Sequence, residues 1–307
     1  MEGVVVKTSG QLYRVLSNDG SLVECNLKGN FRLKSISTTN PIVVGDHVCF
    51  EKNAHDIAMI TAIKPRINEM VRRASNLSKQ AHIIAANIDL AVLVVTTNYP
   101  KTYSVFIDRF LVAAESFKIR AIIVINKIDL YHEDELSVVE QWQTLYQSIG
   151  YPCYAVSAES GEGISTLHHS LIGKISLFSG NSGVGKSSLL NRLSPDSAAK
   201  TNAISEYHNK GMHTTTFSEM FPLEGGGFVI DTPGIKGFGM TGMSFADVSH
   251  YFPEIFKIAS DCRFYNCTHT HEPGCAVIEA VQDGRIDPSR YTSYLSILDE
   301  FEKGKYR

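Results

Sequence analysis

The run Gly180-Asn181-Ser182-Gly183-Val184-Gly185-Lys186-Ser187 has the residue types and spacing of a loop that cradles phosphates. It follows a short β-prone run, Leu177-Phe178-Ser179, and continues into Ser188-Leu189-Leu190-Asn191, which opens a helix. Glycines let backbone N–H groups converge on an anion, and the helix N-terminus adds the positive end of its dipole. In that context Lys186 is expected to reach the β- and γ-phosphates, and Ser187 to ligate Mg²⁺. A second run, Asn126-Lys127-Ile128-Asp129, ends the apolar stretch 121–125. A carboxylate at Asp129 can accept hydrogen bonds from guanine N1–H and its exocyclic amine. Adenine presents neither donor there and would leave a desolvated charge unpaired. The Lys127 stem can cover one face of the base. Ser157-Ala158-Glu159 follows the next strand candidate, 152–156, where backbone N–H groups are expected to receive guanine O6.

Asp231-Thr232-Pro233-Gly234 caps the strand candidate 228–230. Asp231 is expected to hold Mg²⁺ through water, and the Gly234 N–H to sense the γ-phosphate. Between the phosphate loop and this motif lies Gly211-Met212-His213-Thr214-Thr215-Thr216, where a first switch belongs. Thr215 is expected to complete the magnesium shell, with Thr214 the next candidate. Gly234 is followed by Ile235, which cannot orient an attacking water, so slow unassisted hydrolysis is expected. His213 is the nearest group in sequence that could position the water; the alternative is a histidine exposed on a mobile loop.

The order of these motifs carries information of its own. The base selector precedes the phosphate loop, and the γ-phosphate sensor comes last. Ordinary GTPases run from phosphate loop to base selector, so this order implies a circularly permuted nucleotide domain. The former ends are expected to be joined near residues 172–175, where a helix runs into the strand before Gly180.

Cys262-x4-Cys267-x-His269-x5-Cys275 offers three thiolates and an imidazole in a short span, with Asn266, Pro273 and Gly274 supplying turns. Four such ligands suit tetrahedral Zn²⁺, and a site with no open position is structural. His271 is a rival nitrogen ligand on spacing alone. Cys25, Cys49 and Cys153 are scattered singly, as small buried hydrophobes are.

The elements that must position these groups fall into three segments of the 307-residue chain. Residues 1–67 hold five short β-prone runs at 4–6, 11–16, 22–27, 47–50 and 58–63, with a turn at Asn18-Asp19-Gly20. That pattern suggests a small β-barrel of the oligonucleotide-binding (OB-fold) type. Its basic residues Lys28, Arg32, Lys34, Lys52, Lys64 and Arg66, with Phe31 among them, either bind RNA or form a solvated surface. Residues 67–80 are polar and basic and read as a linker or flexible arm. Within 68–240, the apolar runs 90–95 and 121–125 flank a helical pattern at 106–115, a βαβ unit of a parallel sheet. Residues 241–307 read as helical around the Cys/His cluster, with Ser244 a helix cap and 291–303 an amphipathic helix.

A net charge of −3 gives no global attraction to nucleic acid, so any RNA-binding surface must be local. The N-terminus lacks the pattern of a signal peptide, and no apolar run approaches the roughly 18 residues a spanning helix needs. A cytoplasmic protein is expected, and nothing in the sequence calls for more than a monomer.

Taken together, the permuted motif order, the barrel and the Cys-x4-Cys-x-His-x5-Cys spacing resemble one family along essentially the whole chain. It is the circularly permuted, small-ribosomal-subunit-dependent GTPases of the RsgA/YjeQ type. The resemblance implies an OB-fold barrel, a permuted α/β P-loop GTPase domain and a C-terminal α-helical zinc-binding domain. It favours His269 over His271 as the zinc ligand. It also implies a GTPase weak alone and stimulated by the small ribosomal subunit, acting late in its maturation, with barrel and zinc domain on ribosomal RNA and GTP hydrolysis to GDP and phosphate permitting release. Met212 departs from the family, standing where a basic residue is usual. Two other readings are compatible with the motifs: a GTP-controlled adaptor docking a protein partner through its zinc domain, and an ATP-driven helper.

Overall fold

The computed structural model describes residues 1–27, 41–52, 57–72, 82–194, 219–231 and 243–303. Five strands form where the β-prone runs place them: β1 (Glu2–Ser9), β2 (Leu12–Ser17), β3 (Leu22–Leu27), β4 (His47–Glu51) and β5 (Ala58–Ile63). They pair in the order β1-β2-β3-β5-β4, and β4 returns to β1, closing a barrel in which β3–β5 is the parallel pair. Alternate residues point inward, so Val5, Tyr13, Val15, Cys25, Val48, Phe50 and Ile60 form its core. The Asp19 carboxylate fixes the predicted turn by accepting from the Ser21 N–H at 2.9 Å.

Residues 67–72 are not a linker. β6 (Glu69–Arg72) pairs antiparallel with β7 (His82–Ala86). Met70 and Ala85 are buried from it into the core of the next domain. Within β6 only Met70 and Val71 are apolar, and its partner strand begins ten residues on, so there is no short-range hairpin signal. Residues 73–81, with Arg73 and Lys79, lie outside the described residues. Arg66 is held by carboxylates rather than solvated. It forms a fork with the fully buried Asp46 (Nε–Oδ1 2.7 Å, Nη2–Oδ2 2.8 Å) and also reaches Glu69. Lys64 pairs with Glu2 at 2.6 Å. Lys28, Phe31, Arg32 and Lys34 lie outside the described residues.

The central domain is a sheet ordered β10-β9-β8-β11-β13-β12. Its parallel strands are β8 (Leu90–Val95), β9 (Arg120–Ile125), β10 (Cys153–Ala155), β11 (Ile175–Gly180) and β13 (Phe228–Asp231); β12 (Glu219–Pro222) is antiparallel. Strands buried on both faces read as unbroken apolar runs, and β8 is buried at every residue. Its side chains alternate between two cores. Leu93 and Val95 meet α1 (Ser104–Ser116) and α2 (Glu133–Ser148) on one face. Val92 and Val94 meet α3 (Ile164–Leu171) and α4 (Lys186–Leu193) on the other. The helix α3 ends at Leu171 and β11 begins at Ile175, the junction expected for the rejoined ends.

Barrel and central sheet are continuous. β1 pairs with β12, with Lys7 opposite Glu219 and their side chains 2.8 Å apart. Val6 and Val44 of the barrel lie in the same core as Leu93 and Ile123.

The C-terminal module holds a 3-10 helix (Phe245–Tyr251) and three α-helices: α5 (Pro253–Ala259), α6 (Ala276–Gln282) and α7 (Pro288–Glu302). Ser244 caps the first of these through a reciprocal box with Asp247. The module sits on α1, whose Val112 belongs to its core rather than to the sheet's. Arg290, wholly buried, donates to Asp108 on α1 at 2.7 Å and to Glu254 on α5 at 2.6 Å. Tyr146 on α2 also donates to Asp108, at 2.9 Å, and Arg109 pairs with Glu300. Burial pushes the Asp108 carboxyl above its ordinary pKa, against the pull of Arg290. Among the described residues, no helix is long and apolar enough to cross a membrane.

Candidate functional site

The C-terminal ends of the parallel strands lie at one edge of the sheet, where open α/β folds bind ligands. The motifs read from the sequence meet there because β11 occupies the middle of the sheet, between β8 and β13. The phosphate loop leaves β11 and enters α4. Two glycines explain its close approach. A Cβ at Gly180 would lie 2.4 Å from the Val94 carbonyl oxygen, and one at Gly185 would lie 2.3 Å from Asn126 Nδ2. Gly185 is also left-handed, at φ 86°, which disfavours any side chain.

Adjacent strands then bring the two charged groups together. Lys186 Nζ, from the loop after β11, lies 3.2 Å from Asp231 Oδ1 at the end of β13. That oxygen is buried and accepts no well-angled hydrogen bond. A buried carboxylate oxygen so placed fits the water shell of a magnesium ion.

The base selector is held from several sides. Asn126 is buried; its amide donates to the Val184 carbonyl at 2.9 Å and accepts from the Ala158 N–H at 3.1 Å. Phosphate loop, base selector and the 157–159 loop thus converge on one side chain. Ser157 Oγ donates to Asp129 Oδ1 at 2.5 Å, leaving the other carboxylate oxygen without a hydrogen-bond partner among the described residues. Lys127 donates to the Tyr99 carbonyl at 2.7 Å. The Tyr131 hydroxyl donates to the Asn126 carbonyl at 2.7 Å and accepts from the Thr97 N–H at 3.0 Å. Arg192, on α4, donates from Nε to the Ala158 carbonyl (2.9 Å) and from Nη2 to the Glu159 carbonyl (2.6 Å). Tyr131 and Arg192 escape sequence reasoning because both act on backbone groups, which leave no signature in residue spacing. Gly180 ends β11, and Asn181, Ser182, Gly183, Val184, Gly185, Lys186, Ser187 and Ser188 fall on the loop and first turn of α4. His213, Thr214, Thr215 and Gly234 lie outside the described residues.

A second cluster lies in the C-terminal module. The ligand atoms of Cys262, Cys267, His269 and Cys275 all lie within 4.8 Å of one another. Cys262 Sγ is 3.5 Å from His269 Nδ1 and 3.9 Å from Cys275 Sγ; Cys275 Sγ is 3.5 Å from His269 Nδ1. Zn–S bonds of about 2.3 Å and Zn–N bonds of about 2.0 Å at tetrahedral angles give edges of roughly 3.8 and 3.5 Å. The cluster therefore has the dimensions of a zinc cage. Burial holds the His269 imidazole below its ordinary pKa, in the neutral form a metal needs. His271 is not part of the cluster; its Nδ1 lies 2.8 Å from Thr270 Oγ1.

The loop between Cys267 and Cys275 is organised by Glu272, a residue sequence reasoning passed over. Its carboxylate accepts from the N–H groups of Thr268 (2.7 Å), Thr270 (3.0 Å) and His271 (3.2 Å). Burial raises its pKa, but the bonds from the Thr268 side chain and these N–H groups outweigh that and hold it well below the usual range. Tyr291 and Tyr294 on α7 fix the His269 and Thr268 carbonyls at 2.7 and 2.8 Å.

Fold and site define a circularly permuted P-loop GTPase, with an OB-like barrel before it and a Cys/His module after it. Residues 63–241 match the RsgA GTPase family and residues 2–60 match the RsgA N-terminal domain. The chain is 55% identical, over all of its length and 99% of the relative's, to the small ribosomal subunit biogenesis GTPase RsgA 2 of Bacteroides thetaiotaomicron. It is 56% identical over the same shares to the small ribosomal subunit biogenesis GTPase RsgA of Bacteroides fragilis. The crystal structure of YjeQ from Thermotoga maritima superposes with a TM-score of 0.81 at 34% identity, covering 98% of each chain. That of YloQ, described as a circularly permuted GTPase, superposes with a TM-score of 0.78 at 31% identity, covering all of this chain and 96% of the other. The chain belongs to the RsgA GTPase family.

Proposed function

We propose that this GTPase binds the small ribosomal subunit late in its maturation, and that hydrolysis of GTP to GDP and phosphate permits its release. The observation that carries the reading is likeness over the whole chain, barrel and Cys/His module included, to relatives named for small-subunit biogenesis. Ribosomal RNA contacts are assigned to barrel and C-terminal module. The boundaries 1–67, 68–240 and 241–307 are proposed for barrel, GTPase and zinc domains, in a cytoplasmic monomer.

In this reading Asp129 selects guanine, Lys127 covers the base, and Ser157 and Ala158 shape the loop at O6. The N–H groups of residues 180–188 and Lys186 hold the phosphates. Ser187 and Asp231, with Thr215, would hold Mg²⁺, which supplies charge neutralisation at the β- and γ-phosphates. Gly234 senses the γ-phosphate and His213 positions water. Cys262, Cys267, His269 and Cys275 hold a structural zinc; the cage has no position left for a reacting water.

The test is GTP turnover with and without purified small subunits, beside binding across a salt series. Stimulation, and an affinity that falls steeply with salt, are expected, because phosphate contacts release counterions. Subunits that neither bind the protein nor raise its rate would refute the ribosomal reading and favour a protein-docking adaptor. ATP turnover equal to GTP turnover would refute the role of Asp129.

A further inference from the structure

We propose that Arg192 is a positioning residue for guanine recognition, presenting the Glu159 N–H to O6 of the base. The inference rests on the reading that Asp129 and the 157–159 loop form the guanine pocket.

Ala158 is the obvious O6 donor from sequence, but its N–H is directed at Asn126 Oδ1, 3.1 Å away. The next N–H, that of Glu159, has no protein acceptor among the described residues. It belongs to the same peptide plane as the Ala158 carbonyl, and in a planar trans peptide the two point in opposite directions. Arg192 Nε donates to that carbonyl at 2.9 Å, so the guanidinium holds the plane from one side and turns the Glu159 N–H to the other. The second bond, from Nη2 to the Glu159 carbonyl at 2.6 Å, fixes the next plane and stops the loop rolling. Two nitrogens of one planar fork grip consecutive carbonyls, a geometry a lysine point charge cannot reproduce.

The location of Arg192 gives the grip a further consequence. It stands in the last turn of α4, whose first residue is Lys186. Asn126 ties the 157–159 loop to Val184, just before that helix, and Arg192 ties it to the helix's far end. Base loop and phosphate loop are thereby held at a fixed separation by one short helix. Ser157 links the same loop to Asp129, so the loop that carries the Glu159 N–H and the carboxylate that selects the base belong to one hydrogen-bonded unit.

The test compares GDP with 6-thio-GDP, which keeps N1–H and the exocyclic amine but replaces O6 with a poor acceptor. Affinities are measured on the full chain for wild type, Arg192→Met and Arg192→Lys. Wild type is expected to prefer GDP. Arg192→Met should lose roughly five- to tenfold in GDP affinity, the scale of one net hydrogen bond, with 6-thio-GDP affinity little changed, so the preference collapses. Arg192→Lys should fall between. Equal losses for both nucleotides, or none, would overturn the role of Arg192 and leave the pocket reading intact. A wild type indifferent to the sulfur substitution would overturn the pocket reading itself. Because the readout is a ratio within one preparation, partial unfolding of a variant does not mimic the expected result.

Discussion

Asn126 Nδ2 donates to the Val184 carbonyl at 2.9 Å, so the base selector and the phosphate loop share a buried hydrogen bond although the two motifs are far apart in sequence. Its Oδ1 holds the Ala158 N–H. Asn126 therefore acts as a strut between all three nucleotide loops, and Gly185 must lack a side chain to let it approach. Removing the strut in Asn126→Ala breaks two buried bonds and should weaken GDP binding about ten- to a hundredfold. Fluorescent-GDP titration checks this, with an unchanged far-ultraviolet circular dichroism spectrum as the control for folding.

Asp129 accepts from Ser157 and keeps one carboxylate oxygen unengaged by the described residues. In Asp129→Asn the amide can donate where the carboxylate could only accept. GTP affinity should fall about a hundredfold, as expected for lost bonds to a charged acceptor, and XTP affinity should rise, since xanthine carries an oxygen where guanine carries its amine. Competition binding of the two nucleotides reads the exchange; a variant that still prefers GTP would exclude Asp129 from the base.

Arg290 links the C-terminal module to the nucleotide domain through Asp108, with Glu254 on its other side. Truncation in Arg290→Met leaves the buried Asp108 without its counter-charge, which should cost about 3–5 kcal/mol. Calorimetry should show the C-terminal module melting early, ahead of the barrel and sheet. Arg290→Lys should not restore it, because one ammonium cannot span both carboxylates. A melting profile like that of wild type would show that the pair does not hold the module in place.

Zinc removal separates the two candidate histidines. The protein should carry one zinc per chain, lost in Cys267→Ser and in His269→Ala but kept in His271→Ala, whose side chain is engaged with Thr270. Chelation should unfold the C-terminal module while nucleotide binding at the sheet edge persists, since a small metal module draws its folding energy from the ion. Metal content by emission spectroscopy and limited proteolysis read the two effects. Full zinc in His269→Ala would assign the ligand elsewhere.

Most of the architecture was legible in the sequence because its signals are local. Apolar runs mark the parallel strands, alternation marks the barrel, and the phosphate loop announces its own strand and helix. The misread segment, 67–72, forms a strand only because its partner comes from beyond residue 81 and its Met70 is buried under another domain. In sequence Arg66 reads as an RNA contact or a solvated base, and nothing there singles out Arg290. Their partners, Asp46 and Asp108, are distant along the chain, and the cost of burying a charge is met only where the fold delivers the opposite one.

By itself, the sequence determined which groups could contact a nucleotide and a metal, because chemistry of that kind depends on residue type and short spacing. The permuted order of motifs was also readable there, and with it the class of protein. What only the tertiary structure decided is how those groups are held. Strand order places β11 between β8 and β13, which brings Lys186 to Asp231 and Asn126 to Val184. The choice of His269 over His271 by geometry, the grip of Arg192 on the 158–159 carbonyls and the seating of the C-terminal module on α1 likewise depend on three-dimensional distance. Hydrogen bonds and ion pairs act over a few ångströms of space, and a linear sequence does not specify which distant residues will come within that range.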